Sequence, residues 1–470
     1  MTSRKALAVL ALTSTLLCCT KNRIDLVQAI DGGASDDALA DTAAALIPSS
    51  PTAVRVGWLS PAGIPALSQH YGFAVQSGSN PERFGVPGAT LYKQNLALMK
   101  PGLVNVMSVD LMADSSTAAA GWLMSPNTQA FAWDREKIRR SLAGGVAMNA
   151  EFMLTIPTWP QALGPQNVAL DPANYQRFAL LCADLVRVLN VEHQRGVRLF
   201  QIFSEPEPWF KDGATLGRLV ATVAREMKAI DASIQVGGVG FIEGDSPMLP
   251  TFVAEAADNL DFVSFHGYGT SDVQEPLPFV FANADLLGRY AEGIRALGVG
   301  RARPVGVYQT QWALNWQQDR RMAGQAAAVF DVLAMISFVK YRLTGAAGWK
   351  DADGWYGKMD ELDQLRPAAH AMALMNRAFV GEVVATTSPS ADITAFAVRA
   401  GGKRSLLLVN RSAAPIATQV EVWNGTPFSA AAVRTTVDDA GSSSTGASMV
   451  QGQRIFVVQL PALSITAFED

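Results

Sequence analysis

The stretch Phe200–Trp209, with the sequence FQIFSEPEPW, contains the features that decide the fold. An apolar run from Val197 has the composition of a buried strand, and two prolines end it because proline cannot continue a sheet ladder. Glu205 and Glu207 therefore follow the carboxyl end of the strand, with Trp209 beside them. An α/β barrel places its catalytic groups at such positions. A proline-rich acidic loop that only caps a strand is the alternative interpretation.

The sequence on either side alternates between short apolar runs and amphipathic segments. The candidate strands are Tyr71–Gln76, Leu103–Val109, Glu151–Ile156, Val197–Phe203, Ile234–Val239, Phe262–His266, Val305–Thr310 and Ala346–Trp349. Helical segments are predicted near 91–99, 134–143, 173–190, 214–229, 248–258, 282–296, 320–341 and 366–379. This alternation predicts an α/β fold, namely a (β/α)₈ barrel. After Gly381 the chain becomes a series of short β-rich runs separated by Gly, Ser and Pro, which predicts a small C-terminal β-sandwich.

The first residues have the pattern of an export signal. Arg4 and Lys5 precede the apolar run Ala6–Leu17, which is too short to span a bilayer stably. The run leads into two cysteines and resembles a bacterial lipoprotein signal, in which Cys19 would carry the lipid. An ordinary secretory signal is the alternative. Either interpretation predicts export, and the first predicts a lipid-anchored protein of the bacterial cell envelope.

These observations divide the chain into four predicted parts. We expect a lipoprotein-type signal over 1–18, a flexible tether over 19–52, the barrel over 53–380 and the β-sandwich over 381–470. The tether is predicted because its residues are rich in Ala, Asp, Ser and Thr and show no sustained hydrophobic period.

Net charge, cysteine content and motif spacing argue against several kinds of partner and cofactor. The net charge is −4 and there is no basic block, so no nucleic-acid partner is expected. Cys182 is the one cysteine beyond the signal, and its apolar helical pattern predicts a buried thiol. The cluster Gly237–Gly240 lacks the full dinucleotide fingerprint, and no P-loop lysine pattern is present, so no nucleotide cofactor is expected. The four histidines show no paired ligand spacing, which disfavours a metal site.

Three strand ends resemble those of the clan A glycoside hydrolases, nearest to family 39. Ile202–Pro206 resembles the Trp-Asn-Glu-Pro signature after barrel strand four, whose Glu is the general acid/base. Asp261–Tyr268 resembles the strand-six signature, which carries a substrate-site His and Tyr. Tyr308–Trp312 resembles the strand-seven Thr-Glu-Trp, whose Glu is the nucleophile. The resemblance implies action on O-glycosidic bonds of a polysaccharide or oligosaccharide, with Glu205 as acid/base.

The departures from this pattern affect the chemistry directly. The nucleophile position holds Gln311, the Asn before the acid/base is Ser204, and Asn105 stands at the position of the strand-two Arg. An amide cannot ionise and is a poor nucleophile, so the usual double displacement of a retaining glycosidase is not available. Another carboxylate at roughly 6.5–9.5 Å from Glu205 could instead activate water in an inverting reaction. The candidates are Glu207, Asp110, Glu243, Asp351 and Asp353.

Aromatic residues at strand ends predict a sugar-binding surface. They are Trp159, Trp209, Tyr268, Trp312, Trp316 and Trp349. Indole faces suit the C–H faces of pyranose rings, although packing is an equally good interpretation for each tryptophan. Ser204, Glu207, His266 and Gln311 are the predicted hydrogen-bonding residues, and a structural histidine is the alternative for His266.

Three hypotheses follow, and the first is favoured. The chain is a glycosidase-like enzyme with an unconventional second carboxylate, or a catalytically inactive barrel that binds glycan at the cell surface. A purely structural envelope protein is weaker, because the aromatic and polar strand ends would then be coincidental.

Overall fold

A closed barrel of eight parallel strands forms the centre of the part of the chain that the structure describes. This computed structural model describes residues 53–64, 71–76, 89–116, 118, 121–124, 126, 131–142, 150–301, 304–446 and 450–470. In chain order, barrel strands one to eight are Tyr71–Gln76, Leu103–Met107, Glu151–Ile156, Leu199–Ile202, Gln235–Phe241, Phe262–Thr270, Gly306–Asn315 and Gly345–Gly348. Each strand pairs with its successor, and strand eight closes the barrel on strand one through Ala346 and Tyr71. The predicted barrel is therefore confirmed.

Helices alternate with the strands and cover the barrel. The α-helices in the described residues are Thr90–Met99, Arg135–Ser141, Tyr175–Val186, Gly213–Ile230, Leu249–Ala256, Leu277–Leu297, Gln325–Lys340 and Pro367–Ala378. The helix Gly213–Ile230 illustrates how the sequence specifies these helices. Asp212 caps its start by accepting the Thr215 N–H, and its leucines and valines are buried. The helix Gln325–Lys340 is apolar on nearly all sides because it packs between two other helices and the C-terminal sheet.

The barrel interior changes from apolar to polar along its axis. Large apolar side chains near the strand starts, including Leu199, Phe262 and Tyr308, form one buried cluster. Further along the strands the interior holds buried amides and hydroxyls, as where Thr155 Oγ1 donates to Asn105 Oδ1 at 2.8 Å. Buried polar groups cost free energy when they lack partners, and some atoms of this layer, including Asn105 Nδ2 and Gln201 Oε1, have none within the described residues.

The C-terminal region contains one nine-stranded sheet among the described residues. Its strands are Ala53–Pro61, Glu382–Thr387, Ile393–Ala400, Lys403–Asn410, Ile416–Asn424, Val433–Asp438, Gly441–Gly446, Ile455–Leu460 and Ser464–Glu469. The strands hydrogen-bond in one continuous order, so the predicted β-sandwich of two sheets is not confirmed. The sheet encloses its own apolar core around Trp58, Phe428 and Phe468.

The strand Ala53–Pro61 corrects the predicted domain boundary at residue 53. It pairs in parallel with Ile416–Asn424 and antiparallel with Glu382–Thr387, and therefore belongs to the C-terminal sheet and not to the barrel. Its alternating residues Val54, Val56 and Trp58 show that it is a strand, but partners more than 300 residues away along the chain cannot be recognised from a local pattern.

The predicted export signal, Cys19 and the tether lie outside the described residues. Within those residues, no helix is both long and apolar enough to cross a membrane. Cys182 is buried, as predicted, and burial raises the pKa of its thiol.

Candidate active site

A strained turn presents Glu205 at the carboxyl end of barrel strand four. The strand ends at Ile202, and both Phe203 (φ 74°) and Glu205 (φ 53°) adopt the left-handed conformation that non-glycine residues rarely take. The Glu205 N–H donates to the Gly240 carbonyl at 2.8 Å, and Ser204 lies half-buried between the two strained residues. The turn buries the Phe203 ring and leaves the Glu205 side chain 41% exposed. Strain of this kind persists when the surroundings hold a residue in a required direction.

His266 fixes the Glu205 carboxyl from below. Its Nδ1 lies 2.8 Å from Glu205 Oε1, and the residue has no exposed surface. Gly240 makes room for the ring, because a Cβ at this position would lie 2.9 Å from both His266 Nε2 and Gln201 Nε2. Ser264 in turn accepts the Gly240 N–H at 2.8 Å. The predicted sugar contact of His266 is therefore corrected, since a fully buried ring positions Glu205 and does not touch a substrate.

Gln311 and Tyr268 face the same space from strands seven and six. Gln311 is opposite His266 in the strand register, and the Tyr268 hydroxyl donates to Gln311 Oε1 at 3.2 Å. The Gln311 Nε2 points to Met107 Sδ at 3.5 Å. Burial, and then the negative charge of Glu205, raise the pKa of Tyr268 well above its ordinary value. The Tyr268 hydroxyl thus contacts the Gln311 amide, and its phenol lies within the electrostatic influence of the Glu205 carboxylate.

Glu207 ties two loops together and does not line the cleft. Its Oε1 accepts the Ile242 N–H at 2.7 Å, next to the bond between the Glu205 N–H and the Gly240 carbonyl. Burial raises the pKa of Glu207 to about 7, and the charge of Glu205 contributes in the same direction. The predicted substrate contact of Glu207 is accordingly corrected to a role in holding the Glu205 turn against the next loop.

Two of the other candidate carboxylates are engaged elsewhere. Asp351 is fully buried and accepts the Tyr92 hydroxyl at 2.7 Å. Asp353 accepts two backbone N–H groups of its own loop at 2.8 and 2.7 Å. Asp110 is exposed after strand two, and Glu243 is half-buried after strand five. Asp351 and Asp353 are thus unsuited to activating water, whereas Asp110 and Glu243 remain candidates.

Two of the predicted aromatic platforms are core residues. Trp159 and Trp312 have no exposed surface, so their predicted sugar contacts are corrected. Trp312 packs beneath the ammonium of Lys358, which lies 4.9 Å from the ring centroid. Lys358 also forms a buried ion pair with Asp331 at 2.5 Å, and burial raises the pKa of Asp331 to about 6 against the effect of Lys358. Trp209 and Trp349 are half-buried and keep part of their surface open.

The loop after strand eight adds Trp355 and Tyr356 to the predicted aromatic residues, and the sequence pattern had singled out neither of them. Trp355 and Trp316 are each 37% exposed, and the Tyr356 hydroxyl donates to the Trp316 carbonyl at 2.6 Å. The Arg366 guanidinium holds this loop by donating to three of its backbone carbonyls at 2.9–3.0 Å. The loop also contains Trp349, whose ring lies 6.5 Å from that of Tyr356. The available signal was the dense Trp, Tyr and Gly content of residues 348–357.

Comparison with known proteins finds similarity in structure. No protein-family model matches this sequence, and no curated protein sequence matches it. A monomeric beta-xylosidase from Caulobacter crescentus superposes with a TM-score of 0.67 at 16% identity, covering 88% of this chain and 98% of that one. A family 39 glycoside hydrolase from Xanthomonas axonopodis pv. citri gives 0.64 at 15% identity, covering 90% and 98%. A family 30 endoxylanase from Clostridium papyrosolvens gives 0.61 at 15% identity, covering 89% and 99%.

At these identities the likeness concerns the fold. It agrees with the resemblance that the three strand ends carry. This chain has the fold of the clan A (β/α)₈ glycoside hydrolases, which include family 39.

Proposed function

We propose that this chain is a glycoside-hydrolase-like protein that acts on O-glycosidic bonds of a polysaccharide or oligosaccharide, with Glu205 as general acid/base. The observation that carries the proposal is the presentation of Glu205. A strained turn directs its carboxyl outward, His266 holds one oxygen at 2.8 Å, and 41% of the side chain remains exposed. A general acid needs both features, because it must be held in place and must reach the leaving oxygen.

In the proposed reaction, protonated Glu205 donates its proton to the glycosidic oxygen as the bond to the anomeric carbon breaks. A second carboxylate, for which Asp110 and Glu243 are the candidates, takes a proton from the water that attacks the anomeric carbon as this bond breaks, and exchange with solvent then restores both carboxyl groups. Gln311 provides no nucleophile, and its neutral amide stabilises a positively charged sugar less well than a carboxylate would. Its place in the site is that of a hydrogen-bonding group held by Tyr268. The half-open Trp209 and Trp349 provide apolar surface for sugar rings.

The test is release of reducing sugar from xylan, arabinoxylan and other plant and bacterial polysaccharides. We expect Glu205→Gln to lower the rate by roughly 10²–10⁴-fold, because the amide cannot transfer a proton. Glu136→Gln, which changes an exposed carboxylate on a barrel helix, is the matched control and should retain full activity. Release that is unaffected by Glu205→Gln would remove Glu205 from the reaction. Asp110→Asn and Glu243→Gln test the two remaining candidates for a second carboxylate.

Glycan binding without hydrolysis is the second candidate function. It is favoured by the neutral Gln311 at the nucleophile position and by the burial of Asp351. Titration calorimetry with xylo-oligosaccharides distinguishes the two functions. Binding with no release of sugar by the wild-type protein would support the binder.

We also propose that the protein is exported to the cell envelope with a lipid on Cys19. This rests on the basic, apolar and cysteine order of the first residues. Labelling of the cells with a fatty-acid analogue tests it: the wild-type protein should carry the label, and Cys19→Ala should not.

A further inference from the structure

The Gln311–Tyr268 pair has the hydrogen-bonding groups of a binding site for an amide. Gln311 Oε1 accepts the Tyr268 hydroxyl at 3.2 Å, whereas Nε2 faces Met107 Sδ at 3.5 Å. A thioether sulfur is a weak acceptor, so a carbonyl oxygen would be a better partner for Nε2. The pair therefore offers two donors, the Tyr268 O–H and the Gln311 N–H, beside one acceptor. A glutamate at position 311 would offer acceptors alone when ionised.

We propose that this site takes glycosides of 2-acetamido-2-deoxy sugars, whose own acetamido group replaces the missing protein nucleophile. The inference rests on the proposed function, because it takes Glu205 as the acid/base. The acetamido group at C2 is adjacent to the anomeric carbon, which would lie between Glu205 and Gln311. Its carbonyl would accept from the Tyr268 hydroxyl or Gln311 Nε2, and its N–H would donate to Gln311 Oε1. Substrate assistance of this kind needs one protein carboxylic acid and no protein nucleophile.

The reaction balances without any further reagent. The acetamido carbonyl oxygen forms a bond to the anomeric carbon while the bond to the leaving oxygen breaks, and Glu205 gives its proton to that oxygen. Water then attacks the anomeric carbon, Glu205 takes a proton from the water, and the bond to the acetamido oxygen breaks. The products are the free alcohol and the 2-acetamido sugar with its original anomeric configuration.

The experiment compares matched pairs of 4-methylumbelliferyl β-glycosides that differ only in the acetamido or hydroxyl group at C2, in the gluco and galacto series. We expect kcat/KM of the wild-type protein to favour the acetamido member by roughly 100-fold or more, since the 2-hydroxyl analogue has no internal nucleophile. Gln311→Glu should shift the ratio towards the 2-hydroxyl member by restoring a protein nucleophile. Gln317→Glu is the matched control, because Gln317 lies in the loop after the same strand and is half-buried. It should leave the ratio of the two kcat/KM values unchanged.

A second measurement reports recognition apart from turnover. A thiazoline analogue of the cyclic intermediate should bind the wild-type protein by calorimetry, and an exposed-site variant such as Glu136→Gln should bind it equally. Equal cleavage of both members of a pair, dependent on Glu205, would overturn this inference and leave the proposed function intact. If the wild-type protein does not cleave the acetamido glycosides, the inference is also overturned, whether or not the thiazoline analogue binds. Polysaccharide release that needs Glu205 in that case would still support the proposed function.

Discussion

The strand-four and strand-seven sides of the candidate site have similar supporting contacts but carry different chemical groups. On one side, Glu205 is exposed, strained and bonded to a fully buried His266. On the other side, Gln311 is only 5% exposed and is held by Tyr268 and Met107. The supporting hydrogen bonds exist on both sides, so the difference lies in the ionisable group itself.

This difference shows that similar supporting contacts do not imply the same chemistry at the two positions. In the proposed reaction the ionisable Glu205 would meet the leaving oxygen of the sugar, whereas position 311 offers a neutral amide. The contacts of the Gln311 amide with Tyr268 and Met107 favour a role for this amide in binding.

The largest expected effect on stability concerns the Gln311 side. Lys358→Met should destabilise the protein by about 3–5 kcal/mol, because it leaves the fully buried Asp331 without its counter-ion. Urea unfolding at pH 7 measures this. The double variant with Asp331→Leu should recover most of the loss, since it removes both charges together. A single variant as stable as the wild type would show that the buried pair does not support the strand-seven side.

The next effect concerns the Glu205 side and depends on pH. The pKa of Glu207 is about 7 in the folded protein against an ordinary 4.5, so the folded state binds a proton more tightly than the unfolded state does. The contribution of Glu207 to the free energy of unfolding is fully present below pH 4.5. It falls by about 3 kcal/mol as the pH rises towards about 7. Glu207→Gln keeps an oxygen for the Ile242 N–H and should remove this decline. Unfolding measured from pH 4.5 to 8 tests it, with Glu136→Gln as control, and an identical pH slope in Glu207→Gln would contradict the assignment.

A smaller effect is expected from Gly240→Ala. The glycine has φ +61°, and its new Cβ would lie 2.9 Å from His266 Nε2, so both the backbone and the His266 ring must shift. We expect a loss of roughly 1–3 kcal/mol and a weaker Glu205–His266 contact. Gly196→Ala is a close control, because Gly196 has φ +62° with nothing within 4 Å of the added carbon. Thermal unfolding and the His266 ring resonances measure the two effects. Equal losses in the two variants would mean that Gly240 is required by its backbone alone.

The barrel could be predicted because each strand is a short apolar run whose signal is local. The predicted strands Tyr71–Gln76 and Glu151–Ile156 agree with the observed ones at both ends. The placement of Ala53–Pro61 could not be predicted, because its partners are distant in sequence. Strands such as Gly441–Gly446, with the sequence GSSSTG, have no hydrophobic alternation at all and form through pairing with Val433–Asp438.

The candidate site was predictable in position but not in detail. Glu205 and Gln311 each follow an apolar run that predicts a strand, so their places near the strand ends were visible in the sequence, although strand seven itself continues to Asn315. The burial of individual side chains was not visible in the sequence. Trp159 and Trp312 were therefore predicted to contact sugar, although both are core residues. The role of Gly240 was also hidden, because it depends on a histidine one strand away.

The most direct test of the account is covalent trapping with a 2-deoxy-2-fluoro glycosyl fluoride, followed by intact-protein mass spectrometry and peptide mapping. This reagent accumulates as a glycosyl adduct only where the protein supplies a carboxylate nucleophile. We expect no adduct on the wild-type protein and an adduct at position 311 in Gln311→Glu, since that substitution restores a carboxylate at the nucleophile position. An adduct on the wild-type protein would contradict this expectation, because it would reveal a carboxylate that acts as the nucleophile in place of Gln311.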